Sequence, residues 1–285
     1  MNKLSTSRRA AILRALIEGC SVRATCRMTG AAKGTVLKLL AEVGEACADY
    51  QNRHLVQLPC KTLQCDEIWS FVGAKERNVP VAERGNGRGD AWTWTAICSD
   101  TKLIPCWHIG RRDADAAATF MEDLASRLAN RVQLTADGLN AYLGAVEGAF
   151  GWNGVDYAML VKLYGQGPEG QRRYSPPEIV GTEKNWVMGK PDADLISTSD
   201  VESHNLTMRM RNRRMTRLTN GYSKKLENHM HALSLYFMAY NFVHVHNTLT
   251  KARKGVHTTP AMAAGVTDHV WKVEEIVSLL DSSSN

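Results

Sequence analysis

The stretch CDEIWSFVG, residues 65–73, places two adjacent acids within an otherwise apolar run. Its β-branched and aromatic residues predict a strand that enters a hydrophobic core. An unpaired carboxylate buried in such a strand costs several kcal/mol, so Asp66 and Glu67 need a partner that holds their charge. The stretch therefore indicates a strand that carries a functional site.

The segments after this run predict an α/β fold with a mixed sheet. Three strands come first, and helices and strands then alternate, which is typical of that fold class. The predicted strands are residues 62–73, 91–98, 102–109, 131–136 and 155–164, and the predicted helices between them are 113–130 and 138–150. Residues 165–199 are rich in Gly, Pro and polar residues and predict an insertion with one hairpin. Helices resume at about residue 200 and again at 223–246.

Three acids in this pattern form a candidate metal site. Asp66 lies within the first strand, Asp137 ends the short fourth strand, and Glu202 lies in the first turn of a later helix. Ligands of α/β sheets gather outside the carboxyl ends of the strands, where Asp137 is placed. Converging carboxylates repel one another unless cations lie between them, and oxygen ligands favour Mg²⁺ or Mn²⁺.

Each acid also has an ordinary structural interpretation. Asp66 could cap a bulge or pair with an arginine, and Asp137 could cap the helix that follows it. Glu67 points to the other face of the strand, where it is either solvated or functional. The sequence SDVE, residues 199–202, fits a capping box in which Glu202 reaches back to the backbone of Ser199.

Arg209 lies seven residues after Glu202, so the two side chains share one helix face. Asn205, three residues after Glu202, lies on the same face. A carboxylate and a guanidinium in line can hold a metal and an adjacent DNA phosphate together. The alternative is a polar stripe on the surface of the helix.

The N-terminal residues predict a helix-turn-helix. Helices at 5–18, at 22–28 and from about residue 34 are separated by short Gly-containing turns, which is the spacing of that motif. The early positions of its recognition helix contact bases or phosphates, and here they are Lys33, Thr35 and Lys38. A small helical bundle without DNA contact is the alternative. Residues 50–62 look like a linker.

The net charge of +6 is concentrated in two basic blocks. Residues 1–54 contain nine Lys or Arg against four acids, and residues 203–228 contain seven against one. Two basic blocks around a balanced centre suggest a polyanionic partner, although basic runs are also common on solvated faces. The residues of the second block that we expect to contact DNA are Arg211, Arg213, Arg214, Lys224 and Lys225.

The seven cysteines are scattered and include no C-x-x-C pair, so the sequence supports neither a zinc knuckle nor a disulfide framework. No apolar stretch approaches the ~20 residues that span a membrane. The apolar residues of the basic N-terminus recur at helical spacing, and Glu18 interrupts them, so we do not interpret this segment as a signal peptide. We expect a cytoplasmic, nucleoid-associated protein.

Three motifs carry a family resemblance. CDEIWSFV, TADGLNAY and DVESHNLTMRMRNRRMTRLTNGYSKK resemble the insertion-sequence-one family of DDE transposases, whose catalytic domain is ribonuclease-H-like. TTPAMAAG, residues 258–265, also resembles the tail of many transposases, and the resemblance spans about residues 60–265. Members of this family often carry a cysteine-based zinc finger, which this chain lacks.

The resemblance implies a function and a set of site residues. The catalytic triad falls on Asp66, Asp137 and Glu202, and the family's basic residue falls on Arg209. Two Mg²⁺ or Mn²⁺ ions would serve cleavage of DNA and joining of the 3′-OH ends to a target. The implied partners are double-stranded DNA, as terminal inverted repeats and target, and further copies of the chain in a homodimer or larger assembly.

The sequence thus divides into a helix-turn-helix domain (1–54), a ribonuclease-H-like catalytic domain (60–250) and a C-terminal tail (251–285). Three other functions stay open. They are a different ribonuclease-H-like nuclease, a helix-turn-helix transcriptional regulator with an effector domain, and an inactive transposase that still binds DNA.

Overall fold

A computed structural model describes residues 4–165, 178–217 and 219–282 of the chain. The described residues form a mixed α/β fold around one six-stranded sheet. Its strands are β1 (Thr62–Val72), β2 (Gly89–Cys98), β3 (Trp107–Gly110), β4 (Val132–Ala136), β5 (Val155–Tyr164) and β6 (Ile179–Met188).

Helices cover both faces of this sheet and extend beyond it. They are α1 (Thr6–Ile17), α2 (Val22–Thr29), α3 (Lys33–His54), α4 (Ala114–Ser126), α5 (Ala141–Gly154), α6 (Ser199–Arg211), α7 (Leu226–Phe242), α8 (Asn247–Ala252), α9 (Pro260–Ala263) and α10 (Val273–Ser282). None of the described helices is long and apolar enough to cross a lipid bilayer.

The sheet has the strand order β3-β2-β1-β4-β5-β6. β1, β2 and β3 pair antiparallel, β4 runs parallel to β1, and β5 runs parallel to β4. This order fits the ribonuclease-H-like fold that the sequence resemblance implies. β6 adds an antiparallel strand next to β5.

β1 contributes to two hydrophobic cores because its side chains alternate between the faces of the sheet. Leu63 and Cys65 face a large core that includes residues of α4 and α5. Ile68 faces a second core with residues of α6 and α7. Both cores exclude water from β1 along most of its length, so this strand holds its side chains in fixed positions.

The N-terminal and C-terminal helices share the large core. Ile12 and Leu13 of α1, Val43 of α3 and Val277 of α10 all belong to it. Gln51 near the end of α3 is buried, and its side chain donates to the carbonyl of Ser234 in α7 at 3.4 Å. The segments predicted as 1–54, 60–250 and 251–285 therefore contribute to a continuous apolar interior.

Three predicted boundaries were wrong. The predicted linker 50–62 begins inside α3, because burial of Gln51 against α7 extends that helix to His54. The third strand is shorter than the predicted 102–109, since Leu103, Ile104 and Cys106 pack into the cores ahead of β3. The predicted helix 223–246 ends at Phe242.

The predicted insertion at 165–199 contains β6, which pairs antiparallel with β5 as a hairpin arm. Residues 166–177, between β5 and β6 in the sequence, lie outside the described residues. Beyond β6 the chain returns to the sheet, where the backbone of Asp192 exchanges two hydrogen bonds with the side chain of Gln133. This return places the start of α6 beside β1.

Candidate active site

The candidate active site forms where β4 ends and β1 continues. β1 pairs with β4 only as far as Cys65 and Ala136, whereas it pairs with β2 through Val72. Asp66 and Glu67 therefore occupy the first positions of β1 without a neighbour on that side. Asp137 follows β4 directly, so the end of one strand brings three acids together.

Carboxylate oxygens of Asp66, Glu67 and Asp137 lie within 4.8 Å of one another. Sequence reasoning placed Asp66 and Asp137 at this site but left the role of Glu67 open. Side chains of adjacent strand residues point to opposite faces of a sheet. Beyond the last pairing of β1 with β4, the carboxylate oxygens of Asp66 and Glu67 nevertheless lie within 4.8 Å of each other.

Asp66 is held by two hydrogen bonds. Its Oδ1 accepts from its neighbour's backbone, the N–H of Glu67, at 2.8 Å, and its Oδ2 accepts from Asn205 Nδ2 at 2.8 Å. Burial raises the pKa of Asp66 to about 6, and the charges of Asp137 and Glu202 add to this increase against the two hydrogen bonds. The carboxylate is thus oriented from α6 and is costly to ionise without a cation.

Glu67 is buried, with a side chain only 1% exposed, so the solvated interpretation was wrong. Its Oε1 accepts from Arg112 Nε at 2.6 Å, and its Oε2 accepts from the hydroxyl of Tyr142 at 3.2 Å. Burial, followed by the charges of Asp137 and Asp66, raises its pKa to about 7, although Arg112 acts in the opposite direction. Arg112 is therefore the arginine partner of Glu67, whereas Asp66 is held by Asn205.

Asp137 is the most open member of the cluster, with a side chain 35% exposed. Arg112 Nη2 lies 3.7 Å from its Oδ2, and the backbone N–H of Leu139 donates to its Oδ1 at 3.0 Å. Asn140, not Asp137, occupies the N-cap position of α5, so the helix-capping interpretation of Asp137 was wrong. One arginine therefore contacts both Glu67 and Asp137.

Glu202 lies next to this cluster but outside the group of three. It forms an ion pair with Lys162 of β5, and its Oε1 accepts from Thr198 Oγ1 at 2.5 Å. Thr198, not Ser199, precedes α6, and Glu202 contacts the side chain of Thr198, so the capping-box interpretation was wrong. The structure thus assembles two of the three predicted ligands and places the third nearby, paired with a lysine.

Arg209 lies beside Asp66, which acts to raise the pKa of the guanidinium. Burial and the nearby charge of Arg217 outweigh that effect and lower the pKa to about 10. Its Nη1 donates to the carbonyl of Met215 at 3.2 Å, and its Nη2 lies 3.5 Å from the carbonyl of Trp69. In this geometry Arg209 links α6 to β1 and to the segment that follows α6.

The donor set of the acid cluster fits a hard divalent cation. Carboxylate oxygens are the ligands that Mg²⁺ and Mn²⁺ prefer. The raised pKa values of Asp66 and Glu67 show that their charges lack full compensation from the protein. Because Arg112 and Tyr142 occupy the carboxylate of Glu67, Asp66 and Asp137 are the better candidates for metal ligands.

A second feature of the site is a cationic groove between the N-terminal helices and the segment after α6. It has a volume of about 860 Å³, and among the described residues no Asp or Glu lines it. Its cationic side chains come from both basic blocks of the sequence: Arg23, Lys33, Arg211, Arg213, Arg214, Lys224 and Lys225. Within the described part of the chain, none of these seven forms an ion pair with a carboxylate.

The predicted DNA-contacting residues differ in their placement. Lys33 lines the cationic groove, whereas Thr35 and Lys38 lie outside its lining, and Lys38 forms an ion pair with Glu42 at 3.7 Å. Arg214 donates to Ser223 Oγ at 2.9 Å, and burial lowers its pKa to about 10. Arg214 therefore also orders the loop that carries Lys224 and Lys225.

β1 connects the acid cluster to the cationic groove. At its far end Val72 pairs with Ser223, and the N–H of Gly73 donates to the carbonyl of Ser223 at 2.8 Å. Six residues of strand separate Asp66 from Val72, which corresponds to about 20 Å. The groove thus begins roughly 20 Å from the acids, along one rigid strand.

Sequence reasoning missed Arg112, Tyr142 and Lys162 as partners of the acids. Arg112 belongs to the run GRRD after the third strand, where two arginines together were the one available signal. Tyr142 and Lys162 lie in ordinary helix and strand patterns. No local pattern distinguishes these partners, because they reach the acids only through the packing of α5, of β5 and of the segment between β3 and α4.

Comparisons with known proteins give a limited result. No family model matches the chain, and no curated protein matches it. A structure of a piggyBac transposase synaptic complex with hairpin DNA overlaps at a TM-score of 0.49 and 9% identity, over 98% of this chain and 75% of that chain. A Mos1 strand transfer complex overlaps at a TM-score of 0.36 and 9% identity, over 100% and 79%. At such scores the overlap does not assign a function.

Proposed function

We propose that this chain is a transposase of the DDE type. It binds the ends of an insertion sequence, cleaves DNA phosphodiesters and joins the 3′-OH ends to target DNA with divalent metal. One observation carries this proposal. A cluster of metal-suited acids lies where β4 ends beside β1. The far end of β1 pairs with Ser223, which lies between Tyr222 and Lys224 of a groove whose described lining has seven cations and no acid.

Asp66 and Asp137 are the proposed metal ligands, and Glu202 is the proposed third. Bound Mg²⁺ or Mn²⁺, as one ion or two, would supply Lewis-acid stabilisation of charge on the phosphate oxygens. The protein's own contribution is orientation. Asn205 fixes Asp66, and Arg112 keeps Glu67 from turning its charge toward the phosphate.

Glu202 needs one rearrangement to join its proposed partners. It must exchange its ion pair with Lys162 for a metal ion, and its 42% exposed side chain has the freedom to do so. Lys162 then becomes available to a DNA phosphate. Arg209 is proposed to act beside Asp66, where it stiffens the backbone around the acids.

The cationic groove is the proposed binding surface for double-stranded DNA. Arg211, Arg213, Lys224 and Lys225 would contact phosphates, and Lys33 would begin the recognition helix of the proposed helix-turn-helix. Neutralising four phosphates gives a slope of about −4 for log K against log salt concentration. Joining two element ends requires two active sites, so we propose a dimer or larger assembly.

The test is a cleavage and joining assay with a plasmid that carries the element's own ends, run with Mg²⁺ and with EDTA. Asp66→Asn and Asp137→Asn should each lower cleavage by at least about 100-fold, since they remove a metal ligand. Asp194→Asn, on an exposed turn outside the cluster, is the matched control. Cleavage without joining would indicate a different nuclease. Sequence-specific binding with no cleavage, unaffected by Asp66→Asn, would indicate a regulator.

A further inference from the structure

Three aromatic rings form a row on β1 and the adjoining loop, between the acid cluster and the cationic groove. The ring centroids of Trp69 and Phe71 lie 5.7 Å apart, and those of Phe71 and Tyr222 lie 4.7 Å apart. Interplanar angles of 36° and 35° give neighbouring rings similar orientations. We call Trp69, Phe71 and Tyr222 the aromatic row.

The aromatic row starts two residues after Glu67 and ends in the groove. Trp69 and Phe71 share the β1 face that carries Glu67, because side chains alternate along a strand. Tyr222 lines the cationic groove next to Lys224. Same-face residues are ~6.7 Å apart along a strand, so the row is a continuous path from the acids to the groove.

The rings of the aromatic row are half-buried, and in the described residues they belong to neither hydrophobic core. By contrast, Trp94 on the same sheet face is fully buried in the large core. Rings outside both cores contribute less to the fold than core rings do. Their position needs another explanation.

Lysines flank both ends of the aromatic row. Lys75 Nζ lies 5.6 Å from the ring centroid of Trp69, and Lys224 Nζ lies 3.5 Å from that of Tyr222. Lysine beside an open ring gives a pair of contacts suited to a nucleotide, with the ring for the base and the ammonium for the phosphate. Duplex DNA keeps its bases stacked inside, so such rings can stack only on bases that are unpaired.

We propose that the aromatic row binds unpaired nucleotides of the DNA next to the cleaved phosphate. This inference rests on the proposed function, since the acid cluster defines which phosphate is cleaved. Each ring would stack on a base with little sequence preference, because every base has a π-face. Lys75 and Lys224 would leave the rings for the phosphates on either side.

The experiment measures binding of a labelled 20-nucleotide oligothymidine by fluorescence anisotropy, with EDTA present so that no cleavage occurs. Trp69→Ala and Tyr222→Ala should each weaken binding about tenfold, the loss of one base–ring contact. Tyr222→Phe keeps the ring and should bind like the unchanged protein. Trp152→Ala removes an exposed indole on α5 and is the matched control.

A second probe separates stacking from charge. An abasic oligonucleotide of the same length carries the same phosphates but no bases, so Trp69→Ala and Tyr222→Ala should leave its affinity unchanged. Equal losses for both probes, or no loss for either, would overturn the aromatic row as a stacking surface. A change from one oligomeric state to another in the Ala variants would instead identify the row as a contact between copies, and would also overturn it.

This result is distinguishable from failure of the proposed transposase activity. Asp66→Asn should abolish cleavage while it keeps oligothymidine binding. Loss of cleavage in Asp66→Asn with normal binding in Trp69→Ala would retain the enzyme and reject the row. Ring-dependent binding in a protein that never cleaves would retain the row and reject the enzyme.

Discussion

Replacement of Asp66 by Asn should stabilise the metal-free protein while it removes catalysis. The carboxylate of Asp66 has a pKa raised from 3.8 to about 6, chiefly by burial and by the charge of Asp137. A shift of this size corresponds to about 3 kcal/mol of native-state penalty above pH 6. An amide at this position carries no charge and avoids that penalty.

The new amide can also keep both hydrogen bonds of the acid it replaces. Its oxygen can still accept from the N–H of Glu67, and its NH₂ group needs an acceptor in place of the donor Asn205 Nδ2. The Oδ1 of Asn205 is buried and, among the described residues, has no hydrogen-bond partner. Rotation of the Asn205 amide by 180° presents this oxygen to the new donor.

The expected gain is about 2 kcal/mol once part of the penalty is assigned to solvent screening, or a Tm increase of ~5 °C. The sign follows from the raised pKa. The folded state of the unchanged protein binds more protons than the unfolded state between pH 4 and 6, so its penalty is complete above pH 6. The advantage of Asp66→Asn should therefore shrink as pH falls from 7 to 4.

Thermal denaturation in EDTA and in Mg²⁺ measures this effect. Mg²⁺ should raise the Tm of the unchanged protein by binding its folded state and should have little effect on Asp66→Asn. Asp194→Asn, on an exposed turn, should behave like the unchanged protein in both buffers. A lower Tm for Asp66→Asn than for the unchanged protein in EDTA would refute the charge penalty that we assign to Asp66. Equal stabilisation of both proteins by Mg²⁺ would refute Asp66 as a metal ligand.

Three further outcomes are expected. Arg112→Ala should destabilise the protein by about 2 kcal/mol in urea denaturation, because it leaves Glu67 buried without its cation. Arg112→Lys should lose less stability, and an Arg112→Ala protein as stable as the unchanged one would contradict this ion pair. The double change Lys224→Ala and Lys225→Ala should lower the salt slope of DNA binding by about 2 for every DNA sequence, and a sequence-dependent loss would assign these residues to base contacts. Burial lowers the pKa of His229 from 6.5 to about 4, so its contribution to stability should be lost as pH falls from 6.5 to 4, and His229→Gln should make urea midpoints less dependent on pH in that window.

The sequence alone predicted the strand of Asp66 and the position of Asp137 after a short strand. Both follow from local patterns, since alternation of apolar residues marks a strand and a Gly after an acid marks its end. The same patterns predicted α6 with Glu202, Asn205 and Arg209 in its sequence, and the structure has Asn205 bonded to Asp66. The functional roles of these residues stay predictions.

Only the tertiary structure decided how the acids are partnered. Glu67 joins Asp66 at the site because the pairing of β1 with β4 ends at Cys65, one residue before these two acids. The sequence of β1 does not reveal where its neighbouring strand ends. Arg112, Tyr142 and Lys162 reach the acids from three other elements. The two basic blocks likewise meet in one groove only because α1 and α3 pack against α7 and α10. Periodicity along a chain reports which face of an element is apolar, whereas electrostatic neighbours depend on distances between elements that are remote in sequence.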